Sequence, residues 1–300
     1  MDRNVTAFLA VAETGNLTLA ADKVALAQPS LSKRLAKLEE SLGVQLFERH
    51  RRGMELTGAG RLFLQRATRI SHEFDQVKEE LRSLQDAGLS SLRVGAGPLF
   101  SLNFIAPAFA ALKREIPMLR LDLIADTNNH TLPMLQNGEL DLVFGVLEPT
   151  RVDDSILMHK FATVEHGVVL SADDPLAGSR KVQATQILDR QWVIYSDDPE
   201  TERWLTGYFI RNGLPEPDIC VRTSSFANGM DLVRQGGFAM IAPIQLSAKI
   251  TDFGLVALPT DPLITQLPAG AYMRSSSVSY GAITRFVELV EELVMMHVAK

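Results

Sequence analysis

The sequence predicts an all-α N-terminal part with a short strand pair, a long helix after it, and an α/β C-terminal domain. Three observations support this prediction. Apolar residues recur with helical spacing over the first 42 positions, a heptad pattern runs from Phe63 to Leu84, and apolar strands alternate with helices beyond residue 91. A chain of 300 residues is long enough for two or three domains.

The charge is distributed unevenly. The net charge is −6; residues 1–86 hold 13 Lys and Arg against 12 Asp and Glu, whereas the remainder holds 17 against 24. A nucleic-acid partner would therefore depend on where the N-terminal cations sit, and not on their sum. The single cysteine, Cys220, excludes an internal disulfide framework, fits a reducing cytosol, and is expected to be a buried small apolar residue.

The chain is expected to be cytoplasmic and without a membrane partner. No run of about 18 uncharged apolar residues occurs, and the N-terminus carries charges within its apolar stretch, which is untypical of a signal peptide.

The first two helices are short. The group Phe8–Val11 indicates a helix that closes near Gly15, and Asn16 or Thr18 can cap a second helix from Leu19 to about Val24. The small pair Ala20–Ala21 permits close helix packing, and residues 25–27 form a turn.

The third helix begins near Gln28 with Pro29 in its first turn, where proline is tolerated. Its two faces differ. One carries an apolar stripe, expected to be buried: Leu31, Leu35, Leu38 and Leu42. The other carries Ser30, Lys33, Arg34 and Lys37, with Gln28 and Ser32 at its leading edge. Glutamine can bond adenine and arginine can bond guanine in a major groove. A solvated charged face stays an open alternative for this helix taken alone.

Residues 43–57 predict a strand pair closed by a glycine turn. Arg49, Arg51 and Arg52 lie at or near its tip, as a wing beside a phosphate backbone requires.

These residues resemble the N-terminal pattern of the LysR-type transcriptional regulators. The matched positions are Phe8–Val11, Gly15, Ala20–Ala21, Gln28–Ser32, Leu38–Glu39, Leu42–Gly43, Leu46–Phe47, Arg49 and Leu56–Gly60. The resemblance implies a winged helix-turn-helix that binds double-stranded operator DNA. It places Gln28, Pro29, Ser30, Ser32, Lys33 and Arg34 on the recognition helix and Arg51 and Arg52 on the wing; Thr18 and Lys37 are further candidate contacts.

Three positions depart from the family pattern. Asn16 replaces a usual serine, which is neutral for a helix cap, and Leu19 replaces a polar or basic residue, so that one backbone contact is expected to be missing. Ala27 stands where the family has Ser or Thr, and the lost hydroxyl should weaken the cap of the recognition helix by roughly 1 kcal/mol.

The long helix carries a heptad seam. Its apolar positions recur at alternating spacings of four and three: Phe63, Ala67, Ile70, Phe74, Val77, Leu81 and Leu84. The helix could pack on its own chain; the resemblance instead implies pairing between subunits through Phe63, Ile70, Phe74, Val77, Leu81 and Leu84. We expect a homodimer that associates further into a homotetramer, so that two recognition helices read two half-sites.

Strands and helices alternate in the C-terminal part, which predicts a parallel α/β sheet. We expect strands at 92–97, 119–125, 140–146, 167–170, 191–195, 219–223 and 238–241, and helices at 102–115, 132–137 and 280–294. The resemblance implies two Rossmann-like lobes, as in type 2 periplasmic binding proteins, joined by strands that cross near residues 164–169 and 266–272.

The expected boundaries follow. Residues 1–60 form the DNA-binding domain, 61–86 the dimerisation helix, 87–91 a hinge and 92–300 the effector domain. Lobe I takes residues 92–164 and 268–300, and lobe II takes 165–267.

A small-molecule effector is expected between the lobes, at the carboxyl ends of strands. The candidate residues are Phe100, Ser101, Thr127, Asn128, Val146, Ser196, Thr223 and Ser224. Because these loops lack Arg and Lys, a small organic acid held by hydroxyls and helix ends and a sugar-like polyol both stay open. Phe100, Tyr195 or Phe226 could stack on the ligand, with core packing as the alternative.

Enzyme motifs are not found. The segment 95–98 lacks the later glycine of a dinucleotide loop, and the six histidines show no metal-ligand spacing with each other or with cysteine. The acidic pairs at 173–174 and 197–198 precede prolines and indicate turns. We expect no catalytic residue, metal or cofactor, and, by resemblance alone, contact with RNA polymerase. An enzyme fused to a DNA-binding domain, or a binding protein that has lost DNA contact, are the alternatives.

Overall fold

The computed structural model describes residues 2–50, 53–86, 91–152, 154–195 and 199–298. The chain divides into two compact units, one of residues 1–88 with 136–139 and one of residues 89–135 and 140–300; they are called the N-terminal and the C-terminal unit. The hinge expected at residues 87–91 lies mostly outside the described residues, and its last member, Ser91, already begins a strand.

Three helices build the core of the N-terminal unit: α1 Arg3–Thr14, α2 Leu17–Lys23 and α3 Gln28–Leu42. Helix α1 begins five residues before Phe8 because the Asp2 carboxylate accepts hydrogen bonds from the backbone N–H groups of Asn4 and Val5. Asn16, and not Thr18, caps α2, since its Oδ1 accepts from the N–H groups of Thr18 and Leu19 at 2.8 and 3.3 Å.

The apolar stripe of α3 is shorter than predicted. Leu31, Leu35 and Leu38 are buried against Phe8 and Val11, but Leu42 is 42% exposed. The prediction for Leu42 is wrong because it is the last residue of the helix, which ends at Gly43 in the left-handed conformation, beyond the three-helix core.

The predicted wing is confirmed as the antiparallel strands β1 Phe47–His50 and β2 Gly53–Leu56. The Glu39 carboxylate of α3 accepts from the N–H groups of Leu46 and Phe47, which ties the wing to the helix. Gly53 has a φ of 142°, and a Cβ there would lie 2.4 Å from the Gly15 carbonyl oxygen. The unit is therefore a winged helix-turn-helix, followed by α4, Gly58–Asp86, which begins three residues before the expected boundary.

The described residues of the C-terminal unit form one mixed sheet of nine strands in the order β4-β3-β5-β11-β6-β9-β7-β8, with β10 paired to β6. The strands of the first lobe are β3 Ser91–Ala96, β4 Arg120–Ala125 and β5 Leu142–Val146. Those of the second lobe are β7 Gln191–Tyr195, β8 Asp218–Thr223, β9 Phe238–Pro243 and β10 Leu255–Leu258.

Two strands cross between the lobes, as expected: β6 Ile156–Ser171 and β11 Thr265–Arg274. They are antiparallel to each other, to β5 on one side and to β9 on the other. The prediction of a parallel sheet is therefore wrong for the sheet as a whole. Strands β3–β5 are parallel to one another within the first lobe, and β7–β9 within the second.

The helices of this unit are α5 Pro98–Asn103, α6 Ile105–Glu115, α7 Asn128–Gln136, α8 Pro199–Arg211, α9 Phe226–Arg234, α10 Ser247–Thr251 and α11 Gly281–Val298. The single helix expected at 102–115 is two, because the backbone of Phe104, with φ −119°, interrupts the helical geometry while its ring packs on Phe100. The expectation that Cys220 is buried is also wrong: it is exposed because β8 is an edge strand and Cys220 lies on its outward side.

A buried ion pair anchors β11 to the first lobe. Arg274, 2% exposed, lies 3.4 Å from the carboxylate of Asp141, which also binds Arg93 at 2.8 Å. Arg274 further donates to the carbonyls of Leu135 and Leu140. A charge buried this deeply is tolerated only with such partners.

Candidate nucleic-acid interface and ligand cleft

The outward face of α3 carries most of the predicted DNA contacts. Gln28, Pro29, Ser30, Lys33 and Lys37 are exposed, and Ser32 and Arg34 are half-buried. Thr18 of α2 is exposed, as is Leu19, at 58%. The buried leucines fix the rotation of the helix, so that amide, hydroxyl and ammonium groups all face outward.

The N-terminus of α3 has no side-chain cap. Ala27 occupies the capping position without a hydrogen-bonding group, and only its backbone carbonyl accepts, from the N–H groups of Ser30 and Leu31. An uncapped end of a 15-residue helix favours an anion such as a phosphate.

The described part of the wing carries a histidine between two glutamates. Arg51 and Arg52 lie outside the described residues. His50 Nε2 lies 3.6 Å from a Glu48 carboxylate oxygen and 3.7 Å from one of Glu55. The prediction of a basic wing rested on the arginines of this hairpin and did not consider its two glutamates, Glu48 and Glu55.

Helix α4 exposes an apolar stripe of Ile70, Phe74 and Val77, with exposed fractions of 60%, 43% and 46%. Lys78 Nζ lies 4.7 Å from the centroid of the Phe74 ring. The side chains of Leu81 and Leu84 lie outside the described residues. Phe63, also predicted at the dimer interface, packs edge-on against Phe8 at 4.9 Å, because the start of α4 completes the core of its own unit.

A cavity of about 90 Å³ lies between the lobes of the C-terminal unit. Of the predicted effector residues, Phe100, Thr127, Asn128 and Val146 line it. Ser101, Thr223 and Ser224 do not: Ser101 bonds the Pro98 carbonyl, and Thr223 Oγ1 accepts from the Ser225 N–H group. Ser196 lies outside the described residues.

Several residues that line the cavity were not predicted from the sequence. Glu148 follows β5, His166 lies on the crossing strand β6, and Thr201 and Trp204 lie on α8. Tyr195 and Phe226, considered as stacking groups, also line the cavity. His166 could have been predicted from the expected crossing strand at 164–169, since a strand that runs between the lobes borders the cleft.

Asn128 holds the cleft wall together. Its amide donates to the Val146 carbonyl at 2.6 Å and to the Glu148 carboxylate at 2.8 Å. A Cβ on Gly145 would lie 2.2 Å from Asn128 Oδ1, so only glycine permits this approach. The Tyr272 hydroxyl donates to the same Val146 carbonyl and accepts from the Glu148 N–H group. The side chain of Asn128 thus links α7 to the end of β5.

Two of the lining residues each carry a buried polar atom without a hydrogen-bond partner, Thr127 Oγ1 and His166 Nδ1. His166 is 7% exposed, its ring centroid lies 5.1 Å from that of Trp204, and burial lowers its pKa to about 4. The imidazole is therefore neutral near pH 7. Burial, and then the charge of Asp126, raise the pKa of Tyr195 to about 12.

Acidic groups border this cleft. Glu148 lines it and is paired with Arg151 at 3.3 Å, while Asp126, next to Thr127, is 2.7 Å from His130 Nδ1. No Lys or Arg occurs among the described residues that line the cavity.

Elsewhere, the described residues contain no group of three His, Cys, Asp or Glu side chains that could hold a metal ion. No helix in the described ranges is long and apolar enough to cross a membrane.

Comparison with known proteins covers both units. Residues 3–61 match the model of the bacterial regulatory helix-turn-helix protein, lysR family, and residues 86–294 match the LysR substrate binding domain. The chain is 26% identical over 291 residues to the HTH-type transcriptional regulator GbpR of Azospirillum brasilense, covering 96% of this chain and 85% of that protein. It is 33% identical over 262 residues to the HTH-type transcriptional regulator ClcR of Pseudomonas putida, covering 85% and 87%.

Solved structures agree in fold. The crystal structure of CbnR, a LysR family transcriptional regulator, matches with a TM-score of 0.68 at 21% identity, covering 98% of this chain and 99% of that chain. CbnR has also been solved in complex with its target DNA. The two family models together span most of the chain, and the chain therefore belongs to the LysR family of transcriptional regulators.

Proposed function

We propose that this protein is a ligand-responsive regulator that binds operator DNA through α3 and responds to a small molecule bound between the lobes. The observation that carries the proposal is the geometry of α3, in which Leu31, Leu35 and Leu38 are buried and Gln28, Ser30 and Lys33 face outward. Such a helix fits the major groove, with base edges read by its N-terminal half.

The DNA contacts proposed are Thr18, Gln28, Pro29, Ser30, Ser32, Lys33, Arg34, Lys37, Arg51 and Arg52. The domain limits proposed are those expected from the sequence, at 1–60, 61–86, 87–91 and 92–300. We further propose that the protein acts in the cytoplasm, as a regulator without a cofactor or enzymatic activity; contact with RNA polymerase is proposed from family membership alone.

Dimerisation through α4 is part of the proposal. Ile70, Phe74 and Val77 form an exposed apolar stripe on successive turns of one helix, which is typical of a surface that meets a second copy. We propose a homodimer that associates into a tetramer, because two half-sites bind two recognition helices at once and so raise affinity.

Selection of bound sequences from random double-stranded DNA tests the function. The wild type should enrich one palindromic or near-palindromic motif, and Lys33→Ala combined with Lys37→Ala should bind that motif more weakly. Lys249→Ala is the matched control, since Lys249 is an exposed cation of the other unit. Failure of the wild type to enrich any motif would contradict DNA recognition by this chain.

A further inference from the structure

The chemistry of the interlobe cavity limits what the cleft can bind. Its walls are largely aromatic and aliphatic: Phe100, Val164, Tyr195, Trp204, Phe226 and Ile241. Pairs of rings meet at its edge, since Tyr195 and Phe226 are perpendicular at 5.4 Å and His166 and Trp204 lie 5.1 Å apart. Such walls favour a flat ring over a polyol, because each hydroxyl of a polyol would need a polar partner there.

An anionic ligand would meet an unfavourable site. No Lys or Arg occurs among the described lining residues, and the carboxylate of Glu148 is already paired with Arg151. Arg151 is bound to Glu148 at 3.3 Å and to Asn129 at 3.0 Å. His166 contributes no positive charge, because its burial keeps the imidazole neutral. A carboxylate would lose its hydration and find no side-chain counter-charge, and the backbone N–H groups at the starts of α7 and α9 would be its remaining partners.

An organic cation is disfavoured for a different reason. The two acids are already paired, Glu148 with Arg151 and with Asn128, and Asp126 with His130. Cation–π contacts with the aromatic walls would then be the only compensation for the lost hydration of an ammonium group.

Two residues of the site nevertheless have hydrogen-bonding atoms without a partner. Thr127 Oγ1 and His166 Nδ1 are both shielded from water and meet no protein partner. Buried polar atoms of this kind are uncommon and call for a partner. A ligand group that reaches either atom must displace the side chains that bury it. A neutral hydroxyl can both donate and accept, so it can pair with the Thr127 hydroxyl, and with His166 Nδ1 in either tautomer of the histidine.

We infer that the effector is an uncharged aromatic molecule carrying a hydroxyl group, held by the ring walls of the cleft and hydrogen-bonded through Thr127 and His166. This inference rests on the proposed function, in that the cleft is taken as the effector site. It departs from the organic acid and the sugar-like polyol that the loop sequences left open.

Calorimetric titration of the full-length protein with four small probes tests it. Benzyl alcohol, benzoate, benzylammonium and inositol share a six-membered ring and differ in charge, aromaticity and hydroxyl content. Benzyl alcohol should bind more tightly than each of the others. Tighter binding of any other probe, or no binding of benzyl alcohol, overturns the inference.

Variants locate the polar anchor. Thr127→Val removes the hydroxyl with little change in shape and should weaken benzyl alcohol binding by about five- to tenfold, the value of one neutral hydrogen bond. Thr127→Ser should retain the affinity, and Ser101→Ala, outside the cavity wall, should not change it. Equal affinities for the wild type and Thr127→Val overturn the assignment of Thr127.

Ligand-responsive DNA binding, the proposed function, is measured separately with the same protein samples. Footprints on the selected DNA motif, with and without saturating benzyl alcohol, report regulation. If the alcohol binds as expected and the footprint does not change, the effector class stands and ligand-responsive regulation fails. If benzoate or inositol binds through Thr127 and shifts the footprint, regulation stands and the effector class fails.

Discussion

Lowering the pH from 7.5 to 5 should destabilise the C-terminal unit through His166, and replacing this residue with glutamine should remove that part of the loss. The folded state resists protonation because the ring is 7% exposed and burial alone lowers its pKa from 6.5 to about 4. The unfolded chain exposes the same ring to water and takes up the proton near pH 6.5.

The sign follows from proton linkage. Above pH 6.5 the imidazole is neutral in both states and stability does not depend on it. Between pH 6.5 and pH 4 the unfolded state binds the proton and the folded state does not, so stability falls as the pH falls. At pH 5 the penalty amounts to about 2 kcal/mol of unfolding free energy.

Denaturant unfolding followed by tryptophan fluorescence measures this loss. Both tryptophans, Trp192 and Trp204, lie in the C-terminal unit, so the signal reports that unit alone. The wild type should lose about 2 kcal/mol more than His166→Gln between the two pH values. His50→Gln, an exposed histidine of the other unit, measures what any histidine replacement does. Parallel pH profiles for the wild type and His166→Gln would refute the reasoning.

Four further predictions concern other parts of the chain. Arg34→Ala should weaken binding of the selected DNA motif by about 1–3 kcal/mol in competition gel shifts; an equal loss on unrelated sequences would make Arg34 a phosphate contact. Phe74→Asp should shift the protein to monomer in sedimentation experiments and abolish specific DNA binding, with the helix-turn-helix untouched; an unchanged dimer contradicts the α4 interface. Ala27→Ser should supply the missing cap of α3 and stabilise the N-terminal unit by about 1 kcal/mol in thermal unfolding, and no gain would mean that the exposed end is already satisfied by water. Asp141→Asn should cost the C-terminal unit about 3 kcal/mol or more, because Arg274 is then a buried cation without its carboxylate; a loss near zero would show that the carbonyls of residues 135 and 140 suffice.

Local patterns were predicted well because they depend on neighbours in the chain. The stripe of Leu31, Leu35 and Leu38, the turn at Gly15 and the wing hairpin follow from helical period, glycine conformation and strand alternation. The family resemblance supplied the two crossing strands, which no local pattern reveals.

Errors occurred where burial depends on which surface a residue meets. Leu42 belongs to the heptad-like leucine spacing but extends past the core, and Cys220 lies on the outward side of an edge strand. In both cases the neighbouring elements decide whether the side chain is buried.

The sequence by itself determined that the N-terminal 56 residues fold as a winged helix-turn-helix with a polar, cationic face on α3, because that face and its leucine backing lie within one helix. Only the tertiary structure decided the chemistry of the cleft. Thr127, His166 and Trp204 are far apart in the chain and carry no shared motif; they line one cavity because β6 crosses between the lobes and places His166 beside α8.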